Sequence, residues 1–255
     1  MIYQIISYLK FLKRSTNQHG VHSPFVYDLV TKCFYLKQPF YDYKRLKAYR
    51  KTLLKDKQPL EMLDLGKGSR KTQSQFRTPS ELAKTAGTSL KRAKLLLRLT
   101  NYFHFETILE LGTSLGMATH AMTLGNPKAQ ITSVDGNTEV AAYAANKLAK
   151  WKNIHILKGS FEEHLPNLKE QKWDAIFFDG NHTKKATLEY FETLLPSAHK
   201  DSVFIFDDIY WSPEMTEAWE IIKSHPQVTV TIDTYYWGLV FFRKEQQKEH
   251  FTIRI

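Results

Sequence analysis

The run Thr107-Ile108-Leu109-Glu110-Leu111-Gly112-Thr113-Ser114-Leu115-Gly116 decides the fold. Its first five residues are β-branched or apolar around one carboxylate, the pattern of a buried strand. Gly112 and Gly116 then flank the place where a helical run opens, at about residue 115. Glycine lets a backbone turn tightly and approach a ligand, and the first turn of the next helix offers it unsatisfied N–H groups. Further on, a second strand at 130–134 runs into Asp135-Gly136. A carboxylate at that distance can accept both hydroxyls of a ribose, as in nucleotide-binding βαβ units.

Downstream the alternation continues. Strands are predicted at 107–111, 130–134, 154–158, 173–178 and 202–206, with a closing pair at 228–233 and 238–243. Helices fall at roughly 115–124, 139–149, 184–195 and 213–223, the last opened by Ser212-Pro213 as N-cap and first helical residue. The pattern predicts an α/β protein with a doubly wound, mostly parallel seven-stranded sheet and ligands at the carboxyl ends of its strands. A turn around Tyr235–Trp237 places one antiparallel strand in it.

Upstream the character changes. Ile2, Ile5, Ile6, Leu9 and Leu12 stand at helical spacing, followed by Lys10, Lys13 and Arg14. A membrane-surface helix has this composition too, but packing on the rest of the protein is the expected use of the apolar face. Ser23-Pro24 starts a helix, Thr78-Pro79-Ser80-Glu81 reads as a capping box with Gly87 ending its helix, and Leu90–Phe103 is a further helical run. Residues 37–58 interleave aromatics with cations, which suits base stacking or a helix laying lysine stems over a buried edge. Residues 1–100 hold 21 basic and 6 acidic side chains, and residues 101–255 hold 15 and 20. The expected division is therefore a basic helical N-terminal extension, 1–100, and a ligand-binding domain, 101–255.

Composition narrows the class. Of 255 residues, 42% are hydrophobic and 24% charged, ordinary for a chain with a proper core. No apolar run approaches the ~18 residues of a membrane span. The first dozen residues lack the layout of a secretory signal. The single cysteine, Cys33, excludes an intramolecular disulfide and fits a reducing, cytoplasmic setting. Nothing in the sequence sets an oligomeric state.

Glu110–Gly116 resembles motif I of the class I S-adenosylmethionine-dependent methyltransferases, E/D-x-G-x-x-x-G, rather than the dinucleotide pattern, because position 114 is Ser. The resemblance implies a Rossmann-like methyltransferase fold over 101–255. It implies S-adenosylmethionine contacts from Glu110, Gly112, Thr113, Ser114, Gly116, Asp135 and Gly136. Ser160 and Phe161, after the third strand, would lie beside the adenine, and Asp179 would end the fourth strand. Leu63-Asp64-Leu65-Gly66-Lys67-Gly68 also looks like motif I, but a polar, basic continuation follows it, so it reads as a turn or loop.

The acceptor is read from the fourth and fifth strand ends. Asp179-Gly180-Asn181-His182 is not the N/D-P-P-Y/F of amino-directed enzymes, and Cys33 is not placed for cytosine chemistry, which leaves oxygen. Asp179 with Asp207 and Asp208 would offer hard ligands suited to Mg²⁺ or Mn²⁺. Catechol and caffeoyl-CoA O-methyltransferases are similar here, and macrocin-type sugar O-methyltransferases more so. The catechol type has a lysine where this chain has His182, and the sugar type an acid where it has Asn181. His182 has the intrinsic pKa of a general base near neutrality. Trp211, Trp219, Tyr235, Tyr236 and Trp237 could wall a flat acceptor, or belong to the core. The expected function is O-methylation of a small hydroxylated molecule, with a divalent metal orienting the acceptor. The alternatives are an RNA methyltransferase gripping phosphates with its basic region, and an adenosyl-binding module without turnover.

Overall fold

The computed structural model describes residues 2–62 and 76–255. The second motif-like stretch, Leu63–Gly68, lies outside them. The chain opens with α1 (Ile2–Arg14), α2 (Pro24–Leu29), which runs on as a π-helical turn over Val30–Phe34, and α3 (Tyr43–Lys55). A short antiparallel pair, β1 (Leu60–Glu61) and β2 (Phe76–Arg77), precedes α4 (Pro79–Thr85) and α5 (Leu90–Phe103). There follow β3 (Thr107–Leu111), α6 (Met117–Gly125), β4 (Gln130–Asp135), α7 (Thr138–Leu148), β5 (Ile154–Lys158) and α8 (Phe161–Leu168). The rest comprises β6 (Ala175–Phe178), α9 (Lys184–Leu194), β7 (Val203–Asp207), α10 (Pro213–Ser224), β8 (Val230–Asp233), β9 (Trp237–Phe241) and β10 (Glu249–Thr252).

Local chemistry explains most boundaries. Thr78 accepts from the Glu81 N–H while Glu81 accepts from the Thr78 N–H at 2.8 Å, with Pro79 opening the helix, so the expected capping box forms. Ser23, Ser89, Asn137, Thr183 and Ser212 cap α2, α5, α7, α9 and α10 with side-chain oxygens. Helix α8 was absent from the sequence expectation because Pro166 sits inside its eight residues. The proline falls in the second turn, and Ser160 Oγ receives the Glu163 N–H at 3.2 Å to start the helix.

The chain forms two compact units: Leu36–His164, and Met1–Tyr35 with Leu165–Ile255. In the first, β3, β4 and β5 are parallel, with Leu109 opposite Thr132 and Ser133 opposite Ile156. Leu53, Leu60, Leu82, Ala83, Leu115, Val140 and Tyr143 make one apolar cluster of this unit. Helix α3 buries Leu46 and Leu53 and leaves its lysines exposed, so within 37–58 the residues Tyr43–Lys55 form a helix that lays its apolar positions inward.

In the second unit the strand order is β10-β8-β9-β7-β6. β6 and β7 are parallel, and β9 is antiparallel to both β7 and β8, as the closing pair predicts. Every residue of β6, β7, β8 and β9 is buried, as strands covered on both faces require. Among the described residues the strands from β3 onward exceed the expected seven. β10 adds an eighth, parallel to β8, and only Phe251 of its four residues is buried, so no apolar run announces it.

Helix α1 corrects a second expectation. It buries Ser7 and Phe11, while Ile2, Ile5, Ile6 and Leu9 are exposed. The helix packs through the face opposite its aliphatic stripe, because Tyr3, Phe11 and Arg14 find specific partners there and Ser7 is buried with them.

Candidate active site

In the unit Leu36–His164, three strand ends build a cradle. After β3 the backbone turns at Gly112 (φ 108°) and Ser114 (φ 46°), and Gly116 enters α6 at φ 71°. A Cβ on Gly116 would lie 2.8 Å from Leu148 Cδ1 and 3.2 Å from the Tyr49 hydroxyl, so conformation and space both require glycine there. The Gly112 and Thr113 N–H groups donate to Val134 O, which ties the loop to β4.

Asp135 ends β4. Its Oδ2 accepts the Ser114 N–H at 2.7 Å and its Oδ1 the Asn137 N–H at 2.8 Å. A carboxylate offers about four acceptor positions. The Ser114 and Asn137 N–H groups hold one oxygen each and the Thr113 N–H also bears on the carboxylate, so backbone donors fix its orientation. Burial pushes the Asp135 carboxyl above the ordinary range, and the backbone N–H groups oppose that shift. Gly136 follows, half-buried. Gly159, at φ 134°, bonds back to Asp135 O and leads to Ser160, exposed, and Phe161, half-buried.

Glu110 faces the interior. It is fully buried, and its Oε2 accepts from Thr119 Oγ1 and Ser133 Oγ, both at 2.5 Å. Ser133 in turn bonds Thr113 Oγ1. Glu110 Oε1 has no hydrogen-bond partner among the described residues. Burial pushes the carboxyl up to about 7. The sequence reading passed over two supports of this loop. Tyr49 donates to Leu115 O at 2.7 Å and packs on His120, and Asn137 both donates to Asp135 and caps α7. Tyr49 lies in the basic helix α3, so no motif pointed to it.

In the other unit, β6 runs directly into Asp179 and β7 ends on Asp207. One ligand atom each from Asp179, His182 and Asp207 lies within 4.8 Å of the others. His182 Nε2 stands 3.8 Å from Asp179 Oδ1. Asn181 takes a positive φ of 50° between them, which folds the strand end so that residues three apart converge. Asp207 is buried and accepts the Trp237 indole N–H at 2.7 Å. Asp208 is not part of this group; it adopts φ 52° and turns the chain toward α10. Two carboxylates and one imidazole form a donor set that fits a divalent cation of borderline hardness, Mn²⁺ more readily than Mg²⁺. Of the five aromatics, Trp219 and Trp237 are core, Tyr235 stacks on Tyr210, and Trp211 and Tyr236 are exposed.

A sequence-family model described as a methyltransferase domain matches residues 109–209, from within β3 to just past β7. That stretch of the chain resembles a methyltransferase domain. Solved structures agree on the fold around it. An SAH-bound methyltransferase from Podospora anserina superposes with a TM-score of 0.60 at 13% identity, over 88% of this chain and 98% of that one. The O-methyltransferase TomG from Streptomyces achromogenes, in complex with SAM, gives 0.57 at 18%, over 89% and 99%. An O-methyltransferase from Bacillus cereus, in complex with SAH, gives 0.55 at 16%, over 82% and 94%. The matched stretch thus includes the glycine loop, Asp135, Ser160 and every member of the acidic group. Among the described residues no helix is long and apolar enough to cross a membrane.

Proposed function

We propose that the protein is an S-adenosylmethionine-dependent O-methyltransferase acting on a small hydroxylated molecule. The observation that carries the cofactor half is Asp135, a carboxylate at the end of β4 whose two oxygens are oriented by backbone donors, the position from which it would accept ribose hydroxyls. Gly112, Thr113, Ser114 and Gly116 are assigned to the methionine side of the cofactor, Gly136 to the ribose side, and Ser160 and Phe161 to the adenine. Asp179 is assigned to the cofactor amino group or to a metal. Glu110, sealed inside the loop, acts on the cofactor by holding Thr113 and Ser133 in place.

S-adenosylmethionine supplies a methyl group on a sulfonium. In the transfer the acceptor oxygen forms a bond to that carbon, the S–CH₃ bond breaks, and S-adenosylhomocysteine leaves with the electron pair. The acceptor's proton must go to a base. His182 is the candidate, an imidazole held beside Asp179. Asp179 and Asp207, with His182 as third donor, would hold a divalent cation. Such an ion would lower the pKa of an acceptor hydroxyl and fix its oxygen. If His182 is a ligand it cannot also take the proton, so the two roles are alternatives. The basic region 1–100 is assigned to a helical extension rather than to nucleic-acid binding, since the structural relatives named above include small O-methyltransferases of nearly the same extent.

The test is calorimetry with S-adenosylmethionine, followed by turnover on a panel of catechols, phenols and sugars with Mg²⁺, Mn²⁺ or chelator. Cofactor binding with methylation of a hydroxyl in the panel is expected. Binding without turnover on any acceptor would leave an adenosyl-binding module, and robust methylation of total RNA would favour the other enzyme class.

A further inference from the structure

We propose that α1 is a platform that docks the protein on an anionic lipid surface. The helix displays Ile2, Ile5, Ile6 and Leu9 with relative exposures of 77%, 56%, 46% and 54%. Those positions follow the i, i+3, i+4, i+7 spacing of one helix face. Hydrophobic residues scattered singly on a surface need no explanation, but a continuous aliphatic stripe on one helix does.

The stripe is not the loose face of a poorly attached segment. The opposite face is pinned at both ends. Tyr3 donates to Thr216 Oγ1 at 2.7 Å, and Tyr235 donates to Gln4 O at 2.7 Å. Tyr8 meets the Tyr235 ring edge-on with centroids 4.8 Å apart. At the far end the Arg14 guanidinium bonds the Tyr210 hydroxyl and Asp233. The helix is therefore preorganised with its apolar side outward.

Charge identifies the occupant. Arg14 being paired with Asp233, α1 offers the exposed Lys10 and Lys13 and carries no acidic residue, in a chain of net charge +10. By helical angle Lys10 and Lys13 fall beside Ile6 and Leu9, where a helix lying in the headgroup plane needs its cations. Exposed Trp211 and Tyr236 belong to the same unit, and the Trp211 carbonyl accepts from Gln4 of α1 at 3.3 Å. Such aromatics favour the membrane–water boundary. A second copy of the chain is the weaker occupant. Two chains of net charge +10 repel, and four aliphatic side chains fall short of the roughly 800 Å² per partner of a stable interface.

The experiment is co-sedimentation of the full-length protein with vesicles of phosphatidylcholine alone or with about a third phosphatidylglycerol. Partitioning is expected only with the anionic vesicles. It should fall at least about tenfold in Ile5→Asp/Leu9→Asp, and also in Lys10→Glu/Lys13→Glu, which keeps the stripe. Near-ultraviolet dichroism unchanged from the parent would certify that both variants fold. No binding to anionic vesicles would overturn the proposal. So would full binding by the Ile5→Asp/Leu9→Asp variant, which would assign the attraction to the other basic helices. A parent that sediments as a dimer, with that variant monomeric and neither binding vesicles, would give the stripe to a second copy and equally overturn it.

Discussion

Asp135 and Asp207 both end strands of the α/β fold, yet they are held by different kinds of partner. Asp135 is gripped by backbone N–H groups of Ser114 and Asn137, donors whose positions follow from the turn itself. Asp207 is gripped by a side chain, the Trp237 indole, and shares its surroundings with Asp179 and His182. Backbone donors cannot rotate away, so the first carboxylate is a fixed acceptor pair suited to neutral hydroxyls. The second is one of two carboxylates whose ligand atoms lie within 4.8 Å, an arrangement that a cation would satisfy. One region is complete without further charge; the other invites it.

The largest effect should come from attacking the second region. Removal of divalent metal by chelation, or Asp207→Asn, should lower turnover by about 10²–10⁴-fold while leaving S-adenosylmethionine affinity unchanged. Asparagine keeps an oxygen for the Trp237 N–H, so the fold survives. Full activity in metal-free protein, checked by elemental analysis, would erase the contrast between the two regions. His182→Ala separates the roles of that residue: a ligand loses metal affinity along with rate, whereas a base loses rate alone.

The interior of the glycine loop offers the next test. Burial raises the Glu110 carboxyl from 4.5 to about 7 in the folded protein. The folded state therefore binds more protons than the unfolded chain between those values. The stability this provides is full below pH 4.5 and is lost as pH rises through 7. Glu110→Gln cannot ionise, so wild type should lose about 3 kcal/mol relative to this variant between pH 4.5 and 8. Urea denaturation at both ends of the range checks it, and parallel curves would show Glu110 to be solvated.

Smaller still is the cost of opening the acceptor pair. Asp135→Ala should weaken S-adenosylmethionine binding by about 1.5–3 kcal/mol, the scale of hydrogen bonds to a charged group. Asp64→Ala, in the second motif-like stretch, should leave it nearly unchanged. Calorimetry giving the reverse order would transfer the cofactor to that stretch. The smallest effect belongs to a site outside both regions: Thr78→Ala should cost about 1 kcal/mol of stability through the lost cap, with cofactor affinity intact.

The sequence by itself determined most of the alternation of strands and helices from Thr107 on, the caps at Ser23, Thr78 and Ser212, and the placing of Asp135, Asp179 and Asp207 at strand ends. These are local properties: residue spacing, glycine freedom and side-chain capping act within a few positions along the chain. Tertiary structure alone decided that Glu110 is sealed behind the loop, because that depends on Thr119 and Ser133 arriving from α6 and β4. It also decided that His182 rather than Asp208 joins the two aspartates, through the positive φ of Asn181 and of Asp208. The eighth strand was hidden for a related reason: β10 is held by ladder bonds to β8, and its residues carry almost no apolar signal. The stripe on α1 shows the limit of periodicity. Spacing reveals that a helix has an apolar face, but which face the protein covers is settled by the partners that meet it, here Thr216, Asp233 and Tyr235 on the other side.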